Sequence, residues 1–419
     1  MLPPLTYSSG NPDGEDLGAQ AASVSSPLSG PLQWMAVDLC ERKEHDLYRT
    51  RRVVQSSCGP VVRLHGRDYL NFASNDYLGL AADARLARSA ARAATRYGCG
   101  AGASALVVGH LPPLRQLEKD IARWEGTATA LVFSSGWSAN LGAITALVGG
   151  EDAIFSDELN HASLIDGCRL SRAQTHIYRH GDVNQLEELL RLHGAASRRR
   201  LIVTDSVFSM DGDFAPLPAL LELAERYDCL LLLDEAHATG VLGDCGTGLL
   251  EMHLASTGIH PDRIIKVGTL SKALGSQGGF VCGSRRLIDW LINYARPYIF
   301  STALAPPSAA AARQAIKLVQ QEPIRRERLR ELSATLREKV NAIGLATGQS
   351  ECQIVPVVVG ESKAAVNVSL RLMEKGLVVP AIRPPSVPEG TARLRISLTA
   401  AHSTEMVDRL VDALRTVLR

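Results

Sequence analysis

Polar and apolar positions change rhythm three times along the chain. Residues 1–34 are rich in Ser, Gly and Pro, hold no Lys or Arg, and show no apolar period. Such a segment buries too little apolar surface to order itself. We expect a disordered tail over 1–34, or a stretch that exists only through the choice of start codon. Helix-like sequence begins after Met35 and opens an N-terminal arm over 35–70. The first basic residue is Arg42, so neither a secretory nor a transit peptide fits.

From about residue 84, helix-period and strand-like segments alternate. Ala84–Tyr97 predicts a helix ended by Gly98, and Pro113–Trp124 an amphipathic helix stopped by Gly126. Thr127–Phe133 predicts a strand that turns at Ser134–Gly136 into the helix Trp137–Leu147. Leu201–Asp205, Cys229–Leu233, Ile264–Val267 and Phe280–Cys282 predict strands, with a helix over Leu217–Tyr227. Uninterrupted aliphatic runs of this kind suit strands buried on both faces. The alternation predicts an α/β fold with a mostly parallel central sheet and helices on both faces, over 71–305. The rhythm shifts at Ala305-Pro306-Pro307. A helix follows, then the long charged helix Arg325–Ala342, strands at Ile354–Val359 and Ala392–Leu398, a helix over Lys363–Lys375 and a last helix from about Ser403. This predicts a smaller C-terminal α+β domain over 306–419.

Composition narrows the function. The 45 Lys+Arg balance 44 Asp+Glu, so the basic excess needed to hold a phosphate backbone is missing, and we expect no nucleic-acid partner. The longest purely aliphatic stretch, Leu230 to Leu233, is far short of the ~20 residues of a membrane span, and we expect no membrane partner. The eight cysteines form no C-x-x-C pair, so we expect no metal site and reduced thiols in the cytoplasm.

Five motifs carry candidate chemistry. Leu230–Leu233 runs into Asp234-Glu235-Ala236-His237, a carboxylate at a strand end. A helicase-type ATPase would also need a Gly-Lys phosphate loop, and none of the chain's eight lysines follows a glycine. Thr269-Leu-Ser271-Lys272 sets a lysine among small residues after a strand, where it can lose its proton and form a Schiff base. Phe133-Ser-Ser-Gly136-Trp137 exposes N–H groups at a helix start to an anion. Asn160-His161 offers a ring that can stack on another. Arg383, on a loop extended by Pro384 and Pro385, and Arg395, on a strand with apolar neighbours, offer guanidinium forks for a carboxylate. Three further features are set aside. Gly100-Ala-Gly102-Ala-Ser-Ala105 follows a helix where a dinucleotide loop needs a strand. The basic run Arg325–Arg337, interleaved with Glu327 and Glu331, reads as a solvated helix face, and Arg198–Arg200 as a short basic loop. The remaining pieces supply what a pyridoxal phosphate site needs: a lysine for the aldehyde, a carboxylate for the ring nitrogen, and N–H and hydroxyl donors for the phosphate.

Asn71-Phe-Ala-Ser-Asn75-Asp-Tyr-Leu-Gly79, Val207-Phe-Ser-Met-Asp-Gly212-Asp, Asp234-Glu-Ala-His237 and Thr269-Leu-Ser-Lys272-Ala together resemble the α-oxoamine synthases over about residues 45–419. These are fold-type I pyridoxal phosphate transferases that join an amino acid to an acyl thioester with loss of CO₂. Ile382–Gly390, Arg393-Leu-Arg395 and Thr399-Ala-Ala-His402 most resemble the biotin-pathway members, which join L-alanine to a pimeloyl thioester on coenzyme A or an acyl carrier protein. Sister reactions use glycine or serine with another acyl-CoA.

The resemblance implies a Schiff-base role for Lys272, a pyridinium partner in Asp234 and a ring-stacking role for His161. His237 and Ser209 fall near the phenolic oxygen. Gly136, Trp137 and Thr269 fall on the phosphate side, with Thr302 donated by the other subunit of a homodimer. Arg395 clamps the amino-acid carboxylate, and Asn75, Ser386, Arg51 and Arg383 join the substrate side. The chain departs from the family pattern at Ala105 and Leu114, which replace an Arg and a His, and at Ala238, which replaces a Gly.

Overall fold

The computed structural model describes residues 30–257 and 259–418, with the side chains of all but residues 255–257. The expected tail falls mostly outside these residues. Within it, Gln33 and Trp34 already belong to the helix Gln33–Glu44, the described helix of a unit that ends at Tyr48. The second unit, from Arg49 onward, holds three sheets.

Strands β1 (Val61–Leu64) and β2 (Arg67–Asn71) form a hairpin. Seven strands then build the main sheet: β3 (Thr129–Phe133), β4 (Ala153–Asp157), β5 (Gln174–Tyr178), β6 (Arg200–Asp205), β7 (Leu230–Asp234), β8 (Ile264–Thr269) and β9 (Gly279–Gly283). Their spatial order is β3-β9-β8-β7-β6-β4-β5. Only β9 runs against its neighbours, so the sheet is mostly parallel, as the aliphatic runs predict. Alternate residues feed two cores. Leu231 and Leu233 pack on one face of β7 and Leu232 on the other, all fully buried. The strands β10 (Ile354–Gly360), β11 (Leu377–Val378), β12 (Ala381–Ile382) and β13 (Ala392–Ser397) follow. A small antiparallel sheet runs β10-β13-β12, while β11 leaves it to extend the β1–β2 hairpin.

Two expectations change. β4 and β5 carry Asp, Ser, Gln and His and do not stand out as aliphatic runs, yet they complete the main sheet. The basic helix, Ile324–Ala342, is not simply a solvated face. Arg326 is buried and donates to the carbonyls of Val319 and Asp244, and Arg325, Arg328 and Arg337 reach the carbonyls of Leu78, His402 and Cys352. A long guanidinium arm reaches carbonyls left over at distant chain turns, which charge counting along one helix does not reveal.

Candidate active site

At the carboxyl edge of the main sheet, where open α/β sheets bind ligands, β6 ends in Asp205, β7 in Asp234, and the turn after β8 carries Lys272. Asp234 is 4% exposed. Its Oδ1 accepts the Ala236 N–H at 2.9 Å, and its Oδ2 accepts from Asn140 Nδ2 at 2.6 Å. Asn140 sits on the helix Gly136–Leu147 and donates as well to Ser163 Oγ. With both oxygens engaged, the carboxylate keeps one orientation.

Lys272 Nζ lies 2.7 Å from His237 Nε2. Burial lowers the lysine pKa to about 8, against the pull of Asp234 and Asp205. Burial, with Lys272 and Arg395 close by, holds His237 well below the ordinary imidazole range, so its ring is neutral. When Lys272 donates to Nε2, the single ring proton sits on Nδ1, which lies 2.6 Å from Tyr77 Oη. Tyr77 is fully buried, with its pKa pushed up to about 12 by that burial, and donates to Asn75 Oδ1 at 3.1 Å.

Arg395 closes this chain. It stands on β13 at 6% exposure. Its Nε donates to the Ser209 carbonyl at 2.5 Å, its Nη1 to Asn75 Oδ1 at 3.2 Å and Ser397 Oγ at 2.7 Å, and its Nη2 to Tyr77 Oη at 3.4 Å. All four acceptors are uncharged. Arg393, two residues earlier on the same strand, instead pairs with the Asp211 carboxylate.

His161 caps the helix Ala162–Ser171. Its N–H donates to Asp205 Oδ2 at 2.7 Å, its Nδ1 lies 2.7 Å from Ser163 Oγ, and its ring meets Trp137 edge-on at 5.8 Å. Burial lowers its pKa, with Asp234 opposing. Burial beside Asp234 drives Asp205 well above the usual carboxylate range.

The helix Gly136–Leu147 begins beside these groups, capped by Ser135 Oγ, which accepts the Ser138 N–H at 3.1 Å. A Cβ on Gly136 would sit 3.4 Å from Thr269 Cβ and Oγ1, and one on Gly279 would strike the Gly136 backbone at 2.5 Å. Gly279 therefore lets β9 and the helix start approach, leaving a cradle of N–H groups beside the Thr269 and Ser271 hydroxyls, themselves 2.8 Å apart.

The structure thus brings together Lys272, His237, Asp234, His161, Asn75 and Arg395, with Gly136, Trp137 and Thr269 alongside and Ser209 entering through its carbonyl. It places Arg51, Ser386 and Thr302 on the exposed surface, and Arg383 half-buried on its loop, where its carbonyl accepts the Ser386 N–H at 3.0 Å. Sequence reasoning missed Tyr77, Asn140 and Asp205. Tyr77 stands inside the Asn75–Gly79 motif, so its neighbour was the available signal. Glu235 proves to be a helix holder: fully buried, it accepts from Ser206 Oγ and from the N–H groups of Leu249 and Leu250. The site fits pyridoxal phosphate: a half-buried amine of low pKa, a fixed carboxylate and, for the phosphate, a helix start against which a Cβ on Gly279 would press.

The chain matches the family model for aminotransferase class I and II over residues 67–414. It is 50% identical over 381 residues to a putative 8-amino-7-oxononanoate synthase of Geobacillus kaustophilus, covering 91% of this chain and 96% of that one. It is 48% identical over 389 residues to the 8-amino-7-oxononanoate synthase of Anaeromyxobacter dehalogenans, covering 93% and 96%. A high-resolution structure of SPT with pyridoxal phosphate superposes with a TM-score of 0.86 at 29% identity, covering 93% of this chain and 98% of that one. The chain belongs to the aminotransferase class I and II family, as a fold-type I pyridoxal phosphate enzyme of the α-oxoamine synthase kind.

Proposed function

We propose that the protein condenses L-alanine with a pimeloyl thioester, releasing the thiol carrier and CO₂ and giving 8-amino-7-oxononanoate. The observation that carries this reading is Arg395, a buried cation whose protein acceptors are all neutral, one short chain of contacts from the Lys272 amine. A buried guanidinium needs an anion, and its fork suits an α-carboxylate.

Lys272, His161, Asp234 and His237 form the catalytic set, and Asn75 with Arg395 the amino-acid contacts. Ser209, Gly136, Trp137 and Thr269 serve the cofactor. Pyridoxal phosphate, when bound, would supply an electron sink for charge at the amino-acid Cα, and Asp234 would be the carboxylate that keeps its ring nitrogen protonated. Arg395 holds the α-carboxylate and so fixes the direction of the Cα–H bond. Lys272, half neutral at its lowered pKa of about 8, removes the Cα proton and later returns one to that carbon. His237 accepts a hydrogen bond from the lysine and limits its swing. The alanine Cα joins the thioester carbonyl, the thiol departs, and the α-carboxylate leaves as CO₂. The same reading makes the protein a homodimer: Val107, Val108 and Phe300, each at least 70% exposed, form an apolar surface for a second copy, and Thr302 reaches that copy's site.

A sister reaction with serine finds support in the likeness to SPT, at a lower identity. The test uses cofactor-loaded protein and pimeloyl-CoA. Thiol release that requires L-alanine is the expected result. Release driven equally by serine or glycine, or none with any of the three, overturns the proposal.

A further inference from the structure

We infer that His180 is a positioning residue: its imidazolium clasps two aspartates and thereby seats the loop that orients Arg395. The inference rests on reading Arg395 as the amino-acid carboxylate clamp.

His180 follows β5. Its Nδ1 lies 3.0 and 3.2 Å from the two oxygens of Asp157 at the end of β4, and its Nε2 lies 2.7 Å from Asp213 Oδ2. Only a doubly protonated ring donates to acceptors on both sides. Burial works against that proton, yet the two carboxylates outweigh it and push the pKa up to about 10. The side chains of Asp157 and Asp213 are 2% and 12% exposed, and the second oxygen of Asp213 is buried without a hydrogen-bond partner. Asp157 has further donors in the Leu159 and Gly181 N–H groups; Asp213 depends on His180.

Asp213 closes the loop 207–213. The Phe208 N–H donates to the Asp213 carbonyl and the Gly212 N–H to the Phe208 carbonyl, and the His180 ring meets Phe208 edge-on at 4.3 Å. The loop has little slack. Gly212 sits at φ +72°, a Cβ there would strike the Ile354 carbonyl at 2.2 Å, and the Glu351 N–H donates to the Gly212 carbonyl. The same loop presents the Ser209 carbonyl to Arg395 Nε and the Asp211 carboxylate to Arg393. Both arginines of β13 are therefore seated on a loop fastened by His180.

Charge explains why an imidazolium is needed. Asp211 and Asp213 stand two residues apart; burial raises the Asp211 pKa and Asp213 adds to that, while Arg393 and His180 lower it. Without the imidazolium, Asp213 is an uncompensated buried anion that competes with Asp211 for Arg393. The loop then shifts, and the Ser209 carbonyl leaves Arg395 Nε. Contact alone does not prove such coupling; a double-mutant cycle does.

The experiment compares cofactor-loaded wild type, His180→Gln, Asp213→Asn and the double variant. L-alanine dissociation constants come from the change in cofactor absorbance without thioester, and KM values for both substrates are measured alongside. His180→Gln is expected to weaken L-alanine binding about 10- to 100-fold while the thioester KM and the kcat at saturating alanine stay within about threefold. Adding Asp213→Asn removes the orphaned charge and is expected to restore alanine binding to within about threefold of wild type. If His180→Gln does not fold, Asp213→Asn alone should weaken alanine binding about threefold or more. An unchanged alanine constant in the folded single variants overturns the clasp, and so does equal weakening of both substrates, which marks general loosening. Wild type that responds to serine or glycine but not to alanine refutes the alanine reading alone, and the same comparison is then made with that amino acid. Wild type that responds to no amino acid overturns both.

Discussion

Replacing Arg395 with Met or Lys tests the clamp at its source. Four neutral acceptors engage the guanidinium, and among the described residues one Nη2 proton has no acceptor. A carboxylate taking that proton, and displacing the long 3.4 Å contact to Tyr77, gains a two-pronged grip on a buried cation. Truncating one partner of a buried charge pair costs about 2–5 kcal/mol. At about 1.4 kcal/mol per tenfold, Arg395→Met should raise the L-alanine KM about 30- to 4,000-fold. Arg395→Lys keeps the charge but not the fork, and should fall at the low end of that range. Initial rates of thiol release against alanine, at saturating thioester, read the effect, with the thioester KM as an internal control. Folded variants whose alanine KM stays within threefold of wild type would refute the clamp.

Three further outcomes follow from individual groups. Glu235→Gln puts an amide NH₂ against at least one donor that now meets an oxygen, and should cost about 2–4 kcal/mol in denaturant unfolding; an unchanged midpoint contradicts its role as helix holder. Capture of added pyridoxal phosphate by cofactor-free protein should rise with pH to a midpoint near 8, rather than near the 10.5 of an ordinary lysine, because burial favours the neutral amine. Burial also lowers the His402 pKa to about 4, where the ring stacks on Phe72 and its Nε2 lies 3.0 Å from the Asn71 carbonyl. The folded state binds this proton less readily than the unfolded chain, so this contribution is intact above pH ~6.5. It falls away by about 3 kcal/mol as pH drops to about 4. A His402→Gln variant with the same acid slope in its stability would refute that assignment.

The sequence made the fold legible where burial on both faces leaves a mark. Leu230–Asp234 stands out because every position is apolar up to a terminal carboxylate, and Leu201–Asp205 because three aliphatic positions and a threonine lead to one. β4 and β5 lie toward one end of the sheet and carry polar residues that local pattern assigns to loops. In the site, Lys272 stood out because lysine is scarce, with eight in the chain against 37 arginines. Asp234 stood out because a strand ends on it. Asn140 and Tyr77 did not, since their bonds to Asp234 and His237 span 94 and 160 residues and leave no local signature. His180 reads as one histidine in a turn until folding brings Asp157 and Asp213 to its two nitrogens. The same limit applies to Glu235, whose acidity beside Asp234 suggests chemistry while its partners are helix N–H groups.

A single assay bears on the central proposal. Cofactor-loaded wild type and Lys272→Ala are given L-alanine labelled at its carboxyl carbon, with pimeloyl-CoA, and thiol and labelled CO₂ are counted together. The account predicts one CO₂ per thiol in the wild type, no thiol without alanine, and neither product from Lys272→Ala. Thiol release without labelled CO₂, or turnover that survives the loss of Lys272, would contradict it.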